Sequence, residues 1–237
     1  MKVLMIAPQP FFSPRGTPLS VYYRALVLSE MGVDIDLLTY GEGQDVILPN
    51  VKIYRIPRFA FLGRVEIGPS IFKMFLDIFL VLWTLKLLLK NRYDFVHAHE
   101  EAVFFCSFLK PILGFKLIYD MHSSLPQQLT NFRFTKSRFL IKLFQVLENR
   151  ALKASDAVIT ICPDLASYVD SVISDKSKHV MIENSIFEPV QLKAQNWGAE
   201  YNRNPKGDSS TVIDRIAHGR GLVVYAGTLE AYQGMET

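Results

Sequence analysis

Short apolar runs alternate with helix-like stretches along most of this chain, and no other feature limits its fold as much. The first run, Val3–Ala7, is closed by prolines, which is the pattern of a central strand covered on both faces. Similar runs predict further strands at Val33–Thr39, Val51–Arg55, Phe95–Ala98, Lys116–Tyr119, Ala157–Ile161 and Val180–Ile182. Because helical stretches separate most of these runs, the sequence predicts an α/β fold with a mostly parallel sheet and helices on both faces.

Composition excludes several classes of protein. An apolar fraction of 49% and a charged fraction of 21% in 237 residues are ordinary for a folded globular chain. The net charge of +3 is too small to indicate nucleic acid, so we expect no nucleic-acid partner. Cys106 and Cys162 are too few for a disulfide framework or a metal cluster, which fits a reducing, cytoplasmic compartment.

The loop after the first strand is the first candidate site. Thr17 is predicted to cap a helix whose first residue is Pro18, because the missing N–H of proline costs nothing there. Gly16, just before that helix, would let backbone N–H groups approach an anion such as a diphosphate, but it could equally serve only to form a turn. The loop is long, rich in proline and without a G-x-G-x-x-G pattern, which argues against a dehydrogenase with a nicotinamide or flavin cofactor.

Histidines follow the fourth and fifth predicted strands. His97 and His99 alternate onto one face and could hold a metal ion, but no third ligand has a clear local spacing to them, so we predict no metal site. They could equally pack in the sheet and cap its end. His122 follows the fifth strand in a polar loop, where an imidazole can donate to a substrate hydroxyl or phosphate. Asp120 could orient His122 or only cap the next helix.

The order of these motifs carries a family resemblance over nearly the whole chain. The matching stretches are MKVLMIAP, PRGTPLSVYYRALVLSEMGVDIDLLT, YDFVHAHE, KLIYDMHSS, ENRALKASDAVITICPDLASYV, MIENSIF and GTLEAYQG. With them the chain resembles the N-terminal domain of the GT-B glycosyltransferases of family 4, which are retaining enzymes that use nucleotide-sugars. The resemblance implies a Rossmann-like sheet that forms the N-terminal half of a GT-B fold.

The resemblance also implies roles for particular residues. His122 matches the family histidine that hydrogen-bonds the transferring sugar or the acceptor near the reaction centre, and is the expected catalytic residue. The expected donor-phosphate or acceptor contacts are Arg15, Gly16, Thr17, His99, Glu100 and Ser123. The family reaction uses no metal and no cofactor apart from the nucleotide-sugar substrate. In it, the leaving diphosphate helps to accept the proton of the acceptor.

The resemblance divides the chain into an acceptor-side domain at 1–190, a linker at 191–220, and the first strand and turn of a donor-binding domain at 221–237. In the last segment, Thr228 and Gln233 stand where many relatives have an arginine and a lysine that grip the diphosphate. We therefore expect transfer only together with the missing C-terminal domain, in cis or in trans. The alternative is a non-catalytic module that binds a glycan or a partner protein in the same cleft.

Two segments raise the question of a membrane. The apolar stretch 71–89 is interrupted by Lys73, Asp77 and Lys86, which predicts no membrane span. It predicts instead a heavily buried helix, with a lipid contact at one edge left open. The segment Phe132–Lys142 interleaves basic residues with phenylalanines, which suits an anionic membrane surface. The same pattern would also suit nucleic acid or a helix with a solvated charged face. The resemblance favours the membrane, because many relatives use lipid-linked acceptors. The expected location is therefore cytoplasmic, with a peripheral contact at the inner face of the membrane left open.

Overall fold

The central element is a parallel sheet. The computed structural model describes residues 1–13, 16–59, 63, 65, 70–131 and 137–183. Within these residues, seven strands pair in the order β3-β2-β1-β4-β5-β6-β7, and every neighbouring pair is parallel. The strands are β1 Lys2–Ala7, β2 Asp34–Thr39, β3 Val51–Arg55, β4 Phe95–His99, β5 Lys116–Met121, β6 Ala157–Thr160 and β7 His179–Met181. All predicted strands are confirmed, and β5 runs on past its predicted end at Tyr119, which draws Asp120 into the sheet.

Six α-helices join these strands within the described part of the chain: α1 Gly16–Glu30, α2 Ile71–Lys90, α3 Ala102–Leu113, α4 Leu125–Asn131, α5 Arg138–Ala154 and α6 Pro163–Val172. The predicted start of α1 is wrong, because the helix already includes Gly16 and Thr17. The Ser20 hydroxyl donates to the Gly16 carbonyl at 3.3 Å, which fixes this first turn. Pro18 is still accommodated, since the N–H groups of the first turn have no partner within the helix.

Helices cover both faces of the sheet, as predicted. On one face, Val3 and Met5 of β1 pack under Val21 and Ala25 of α1. On the other face the core includes residues of α2, α3, α5 and α6. The order of the strands reverses between β1 and β4, since β2 and β3 lie on one side of β1 while β4 to β7 follow on the other. In open parallel sheets ligands bind beyond the carboxyl ends of the strands at such a switch point.

Helix α2 is less buried than its sequence predicts. Ser70 caps its N-terminus, since the Ser70 hydroxyl accepts the Lys73 N–H at 3.1 Å. Its buried residues are Leu76, Leu80, Thr84 and Leu87, while much of the remaining apolar surface faces solvent. The expectation of a heavily buried helix is therefore wrong, because this helix is apolar on its outer side as well as toward the sheet. No helix among the described residues has the length and hydropathy needed to cross a bilayer.

Several predictions fall on residues outside the described ranges. These are the phosphate contact of Arg15, the first five residues of the membrane segment Phe132–Lys142 (residues 132–136), the linker at 191–220 and the donor-domain strand at 221–237.

Candidate functional site

The carboxyl ends of β4 and β5 bring the predicted histidines together. The register places His97 beside Ile118 and His99 beside Asp120, so both strands end at the same level. The alternation of the strand turns both histidine rings to one face, where they stack with centroids 4.7 Å apart and planes 14° apart. His122 follows β5 directly and lies within 5.4 Å of the His99 ring, centroid to centroid.

Asp120 is the centre of this cluster. Its side chain is fully buried, and its Oδ2 accepts the Arg24 Nε–H at 3.1 Å and lies 3.0 Å from His97 Nε2. Oδ2 is also 3.7 Å from His99 Nδ1, while Oδ1 is 3.3 Å from His122 Nε2 in an ionic contact without good hydrogen-bond geometry. A buried carboxylate is tolerated only when it is paired, and four basic groups surround this one. The structure therefore supports the orienting role of Asp120 and not the capping role.

The surroundings set the protonation of the cluster. Burial alone would raise the pKa of Asp120, but the neighbouring imidazoles of His99 and His122 and the hydrogen bond with His97 hold it well below its usual range. Burial alone would lower the pKa of His122, and the Asp120 carboxylate raises it above the ordinary value. Burial lowers the pKa of His99 well below its usual range despite Asp120. The cluster thus favours an ionised Asp120, a charged His122 and a neutral His99.

A hydrogen bond joins His99 and His122, since His99 Nδ1 lies 3.2 Å from His122 Nε2. With His122 charged and His99 neutral, we assign the proton to His122 Nε2 and the acceptor role to His99 Nδ1. The neutral His99 then carries its own proton on Nε2, a buried atom without a hydrogen-bond partner among the described residues. An unpaired buried donor is costly, so this nitrogen marks a place where a ligand or a water would be stabilising.

The turn after β4 holds Glu100 in an uncommon conformation. Its φ is +47°, in the left-handed region, and its N–H donates to the Asp120 carbonyl at 3.2 Å. Burial and the neighbouring Glu101 raise the pKa of Glu100, while a hydrogen bond with Ser123 opposes that rise. Left-handed backbone at a non-glycine residue costs on the order of 1 kcal/mol or more, and such strain is concentrated at functional sites. Glu100 directly follows His99 and Ser123 directly follows His122, so both residues border the histidine cluster.

Sequence reasoning missed Arg24. It lies on the inward side of α1, next to the buried Ala25, and its Nη2 donates to the Ile182 carbonyl at 3.1 Å. Together with the bond to Asp120, this contact links α1, β5 and the end of β7. The signal was available, because a cation next to buried positions of a helix needs a buried partner.

Glu148 is a second residue that the sequence did not reveal. It is fully buried in α5, accepts the Ser124 hydroxyl on Oε1 at 2.9 Å and accepts the Leu125 N–H on Oε2 at 3.0 Å. These bonds hold the loop that carries His122 against α5. Burial raises the pKa of Glu148, although its hydrogen bonds oppose that rise.

The predicted site residues fall into two groups. His99, Glu100, His122 and Ser123 are neighbours at the ends of β4 and β5. Gly16 and Thr17 begin α1, the helix that reaches the cluster two turns later through Arg24; a Cβ added to Gly16 would meet no atom within 4 Å. The described contacts do not join Gly16 or Thr17 to His122 directly.

The fold supplies a third metal-ligand candidate that local spacing could not show. The donor atoms of His97, His99 and Asp120 all lie within 4.8 Å of one another. The Asp120 carboxylate, however, already binds the Arg24 guanidinium, and a cation there would sit beside another cation. The donor set could therefore hold a metal only if Arg24 moved away.

Comparison with known families gives one match, to Glycosyltransferase Family 4, whose model covers residues 14–186. A search among curated proteins gave no match.

Comparison with solved structures gives the same fold. Sucrose-phosphate synthase from Thermosynechococcus elongatus has a TM-score of 0.53 and 17% identity over 77% of this chain and 48% of that chain. HepE from Anabaena, solved in complex with UDP-glucose, has a TM-score of 0.51 and 15% identity over 78% of this chain and 44% of that chain. The catalytic domain of starch synthase IV from Arabidopsis thaliana has a TM-score of 0.54 and 13% identity over 78% of this chain and 51% of that chain. The chain thus spans about half the length of these relatives, and its sheet is that of the N-terminal half of a GT-B fold.

Proposed function

Since the chain belongs to glycosyltransferase family 4, we propose that it forms the acceptor-side half of a retaining glycosyltransferase. In this proposal a hexose passes from a nucleotide-sugar to a glycan or a lipid-linked acceptor. A nucleotide-sugar donor is supported by HepE, a structural neighbour solved with UDP-glucose. Because the chain spans about half the length of its solved relatives, transfer is proposed to need a donor-binding domain, in cis or in trans.

One observation carries the proposal: the imidazole of His122 lies at the carboxyl edge of the sheet with its Nε2 side held by His99 and Asp120. Since the carboxylate raises its pKa, the ring is a preorganised donor near neutral pH. Preorganised donors stabilise charge that develops in a transition state without reorganising during the reaction. His122 is thus the proposed catalytic residue, and Asp120 and Arg24 are positioning residues that act through it.

In the proposed reaction the bond between the anomeric carbon and the diphosphate oxygen breaks, and the acceptor oxygen bonds to the same face of that carbon. The proton of the acceptor passes to the leaving diphosphate. The N–H groups of Gly16 and Thr17 at the start of α1, together with Arg15, are the proposed phosphate contacts, since a helix N-terminus favours anions. His99, Glu100 and Ser123 are the proposed acceptor contacts.

The proposal includes no metal and no cofactor. Arg24 already neutralises the carboxylate that a metal would need, which supports a metal-independent reaction. Chelation should therefore leave ligand binding and transfer unchanged.

The experiment joins the full chain to a donor-binding domain of the same family and measures transfer from a set of UDP- and GDP-sugars. His122→Gln should lower kcat strongly, since one preorganised donor contributes about 100- to 1,000-fold. The matched control is His179→Gln, because His179 is also held by hydrogen bonds, to Asp170 and Thr160, at the far strand β7. Equal transfer by the His122 and His179 variants would contradict the proposal. Acceptor binding without any transfer would favour the alternative, a non-catalytic binding module.

A further inference from the structure

Helices α2, α3 and α5 share one face of the sheet, opposite α1. Lys73 of α2 pairs with Glu101 at the start of α3 at 2.9 Å. Arg150 of α5 lies over the Phe108 ring of α3 at 4.2 Å from its centroid. These contacts make the three helices a continuous layer, and the outward side of that layer is called the helical outer surface below.

The helical outer surface is rich in exposed apolar side chains. On α2, Ile71 is 73% exposed, Ile78 is 58% exposed and Leu89 is 74% exposed. The full set of exposed apolar residues comprises Ile71, Phe72, Met74, Phe75, Ile78, Leu82 and Leu89 of α2, Phe108 and Ile112 of α3, and Phe139, Leu140, Leu143 and Val146 of α5. Soluble monomers rarely expose a contiguous apolar area of this kind, so such an area marks an interaction surface.

The charge of the three helices is unbalanced. They contain eight basic and two acidic residues, whereas the whole chain contains 26 basic and 23 acidic residues. Both acidic side chains face inward, because Asp77 accepts the Tyr40 hydroxyl at 2.6 Å and Glu148 is fully buried. The exposed cations are Lys86, Lys90, Arg138, Lys142, Arg150 and Lys153. The outward side of these helices is therefore apolar and cationic, without an exposed carboxylate of their own.

We propose that the helical outer surface docks on an anionic lipid bilayer. Apolar side chains would enter the boundary between headgroups and acyl chains, and the flanking lysines and arginines would meet lipid phosphates. A groove of about 880 Å³ between α3 and α5, lined by Arg150 and Lys153, offers room for an anionic headgroup. The third cation of its lining, Lys110, already pairs with Asp156 at 2.7 Å. A second copy of this chain fits the surface less well, because two such cationic surfaces repel each other.

The same surface leads to the candidate site. The first turn of α2 is bound to Glu101, the residue after Glu100 of the site, through Lys73. Docking by this surface would therefore hold the carboxyl edge of the sheet beside the bilayer. This inference goes beyond the proposed glycosyl transfer, since membrane docking requires no sugar chemistry.

The experiment is co-sedimentation of the full chain with vesicles of phosphatidylcholine alone and with about one third phosphatidylglycerol, at low and high salt. We expect at least tenfold tighter binding to the anionic vesicles, weakened by salt. The variant Phe72→Ser/Phe75→Ser/Ile78→Ser should lose at least tenfold in that binding. The matched control is Val27→Ser/Met31→Ser/Ile47→Ser, which changes apolar residues that are 53%, 73% and 92% exposed away from the three helices and should bind normally.

Three outcomes would overturn the proposal. The first is vesicle binding that does not depend on lipid charge, or that is equally strong in the two triple variants. The second is a dimer, seen by sedimentation velocity, that the α2 variant abolishes while no vesicles bind. The third is a large loss of thermal stability in the α2 variant without vesicle binding, which would mean that the rest of the chain packs on this surface. Because the assay contains no sugar, its failure leaves the glycosyl-transfer proposal standing.

Discussion

The histidine cluster buries ionisable side chains, whereas helix α2 exposes apolar side chains. Each region therefore departs from the usual distribution of polar and apolar groups, but in the opposite way. At the cluster, the side chains of Asp120 and His99 are fully buried although both can carry charge. On α2, Ile71 and Leu89 are more than 70% exposed although both are apolar. Each arrangement opposes stability, by desolvation in the first case and by exposure in the second. Both regions therefore indicate functions that folding alone does not require.

The two regions also differ in how they are held together. The cluster draws side chains from β4, β5 and α1, so each member depends on partners distant in sequence. The exposed side of α2 lies on a single helix, and among the described ring contacts its Phe75 meets one ring outside that helix, Phe59. Changes in the cluster should therefore propagate to stability, whereas changes on the outer side of α2 should not.

The largest expected effect tests the cluster. Asp120→Asn removes the only carboxylate that Arg24 binds among the described ion pairs, and leaves that guanidinium, whose side chain is only 16% exposed, without a counter-charge. We expect the free energy of unfolding to fall by about 3 to 5 kcal/mol, measured by urea denaturation. The control is Asp45→Asn, since Asp45 also pairs with an arginine but is 88% exposed, and should cost less than about 1 kcal/mol. Equal losses would mean that the buried network is not stabilising.

The next effect tests α2 with two leucines one half-turn apart. Leu80 is fully buried and Leu82 is 52% exposed. Leu80→Ala should lower the free energy of unfolding by about 2 to 5 kcal/mol, because it leaves a cavity under the helix. Leu82→Ala should cost less than about 1 kcal/mol in urea denaturation, since exposed positions tolerate change. A large loss at Leu82 would show that the outer side of α2 is packed in the folded chain.

The sequence predicts the fold better than the site because period and punctuation are local signals. Each predicted strand is found, and alternation correctly places His97 and His99 on one face. Alternation does not show which residue of the neighbouring strand lies beside a given histidine. Asp120 meets both histidines because β5 pairs with β4 in one particular register, and Arg24 meets Asp120 because α1 lies over that register.

Burial was harder to predict than secondary structure. The run 71–89 does form a helix, but its sequence is apolar on nearly every side, so no polar stripe showed which side faces the sheet. The start of α1 was also misjudged, because Thr17 has the side chain of a cap but lies within the helix. For α2, tertiary packing decided which side faces the sheet. For α1, the hydrogen bond from the Ser20 hydroxyl to the Gly16 carbonyl holds a first turn that the sequence did not indicate.

A smaller effect concerns pH and involves one proton. The pKa of folded His122 lies above its ordinary value of about 6.5, so the folded state holds this proton more tightly than the unfolded chain. This contribution is fully present below about pH 6.5 and is lost as the pH rises through the raised pKa. The stability advantage of the wild type over His122→Gln should therefore shrink as the pH rises above about 6.5, measured by urea denaturation. An advantage that is constant or grows with pH would mean that Asp120 does not hold the proton on this ring.

The smallest effect on stability is expected at Gly16. A substitution there changes the start of α1 without changing a residue of the histidine cluster. The backbone of Gly16 is helical, and an added Cβ would meet nothing within 4 Å. Gly16→Ala should change the free energy of unfolding by less than about 0.5 kcal/mol. If a diphosphate lies against this first turn, the added methyl group occupies its space, and the affinity for a nucleoside diphosphate should fall, as measured by calorimetry on the full chain joined to a donor-binding domain.

The glycine at the other end of α1 provides the matched control. Gly32 has a φ of +80°, which alanine adopts only with strain, although an added Cβ there would also meet nothing within 4 Å. Gly32→Ala should therefore destabilise the fold by about 1 kcal/mol and leave nucleoside diphosphate affinity unchanged. Opposite signatures at the two ends of one helix would separate a ligand contact from a backbone requirement. The same signature at both ends would remove the first turn of α1 from the proposed site, because stability alone would then explain the loss of affinity.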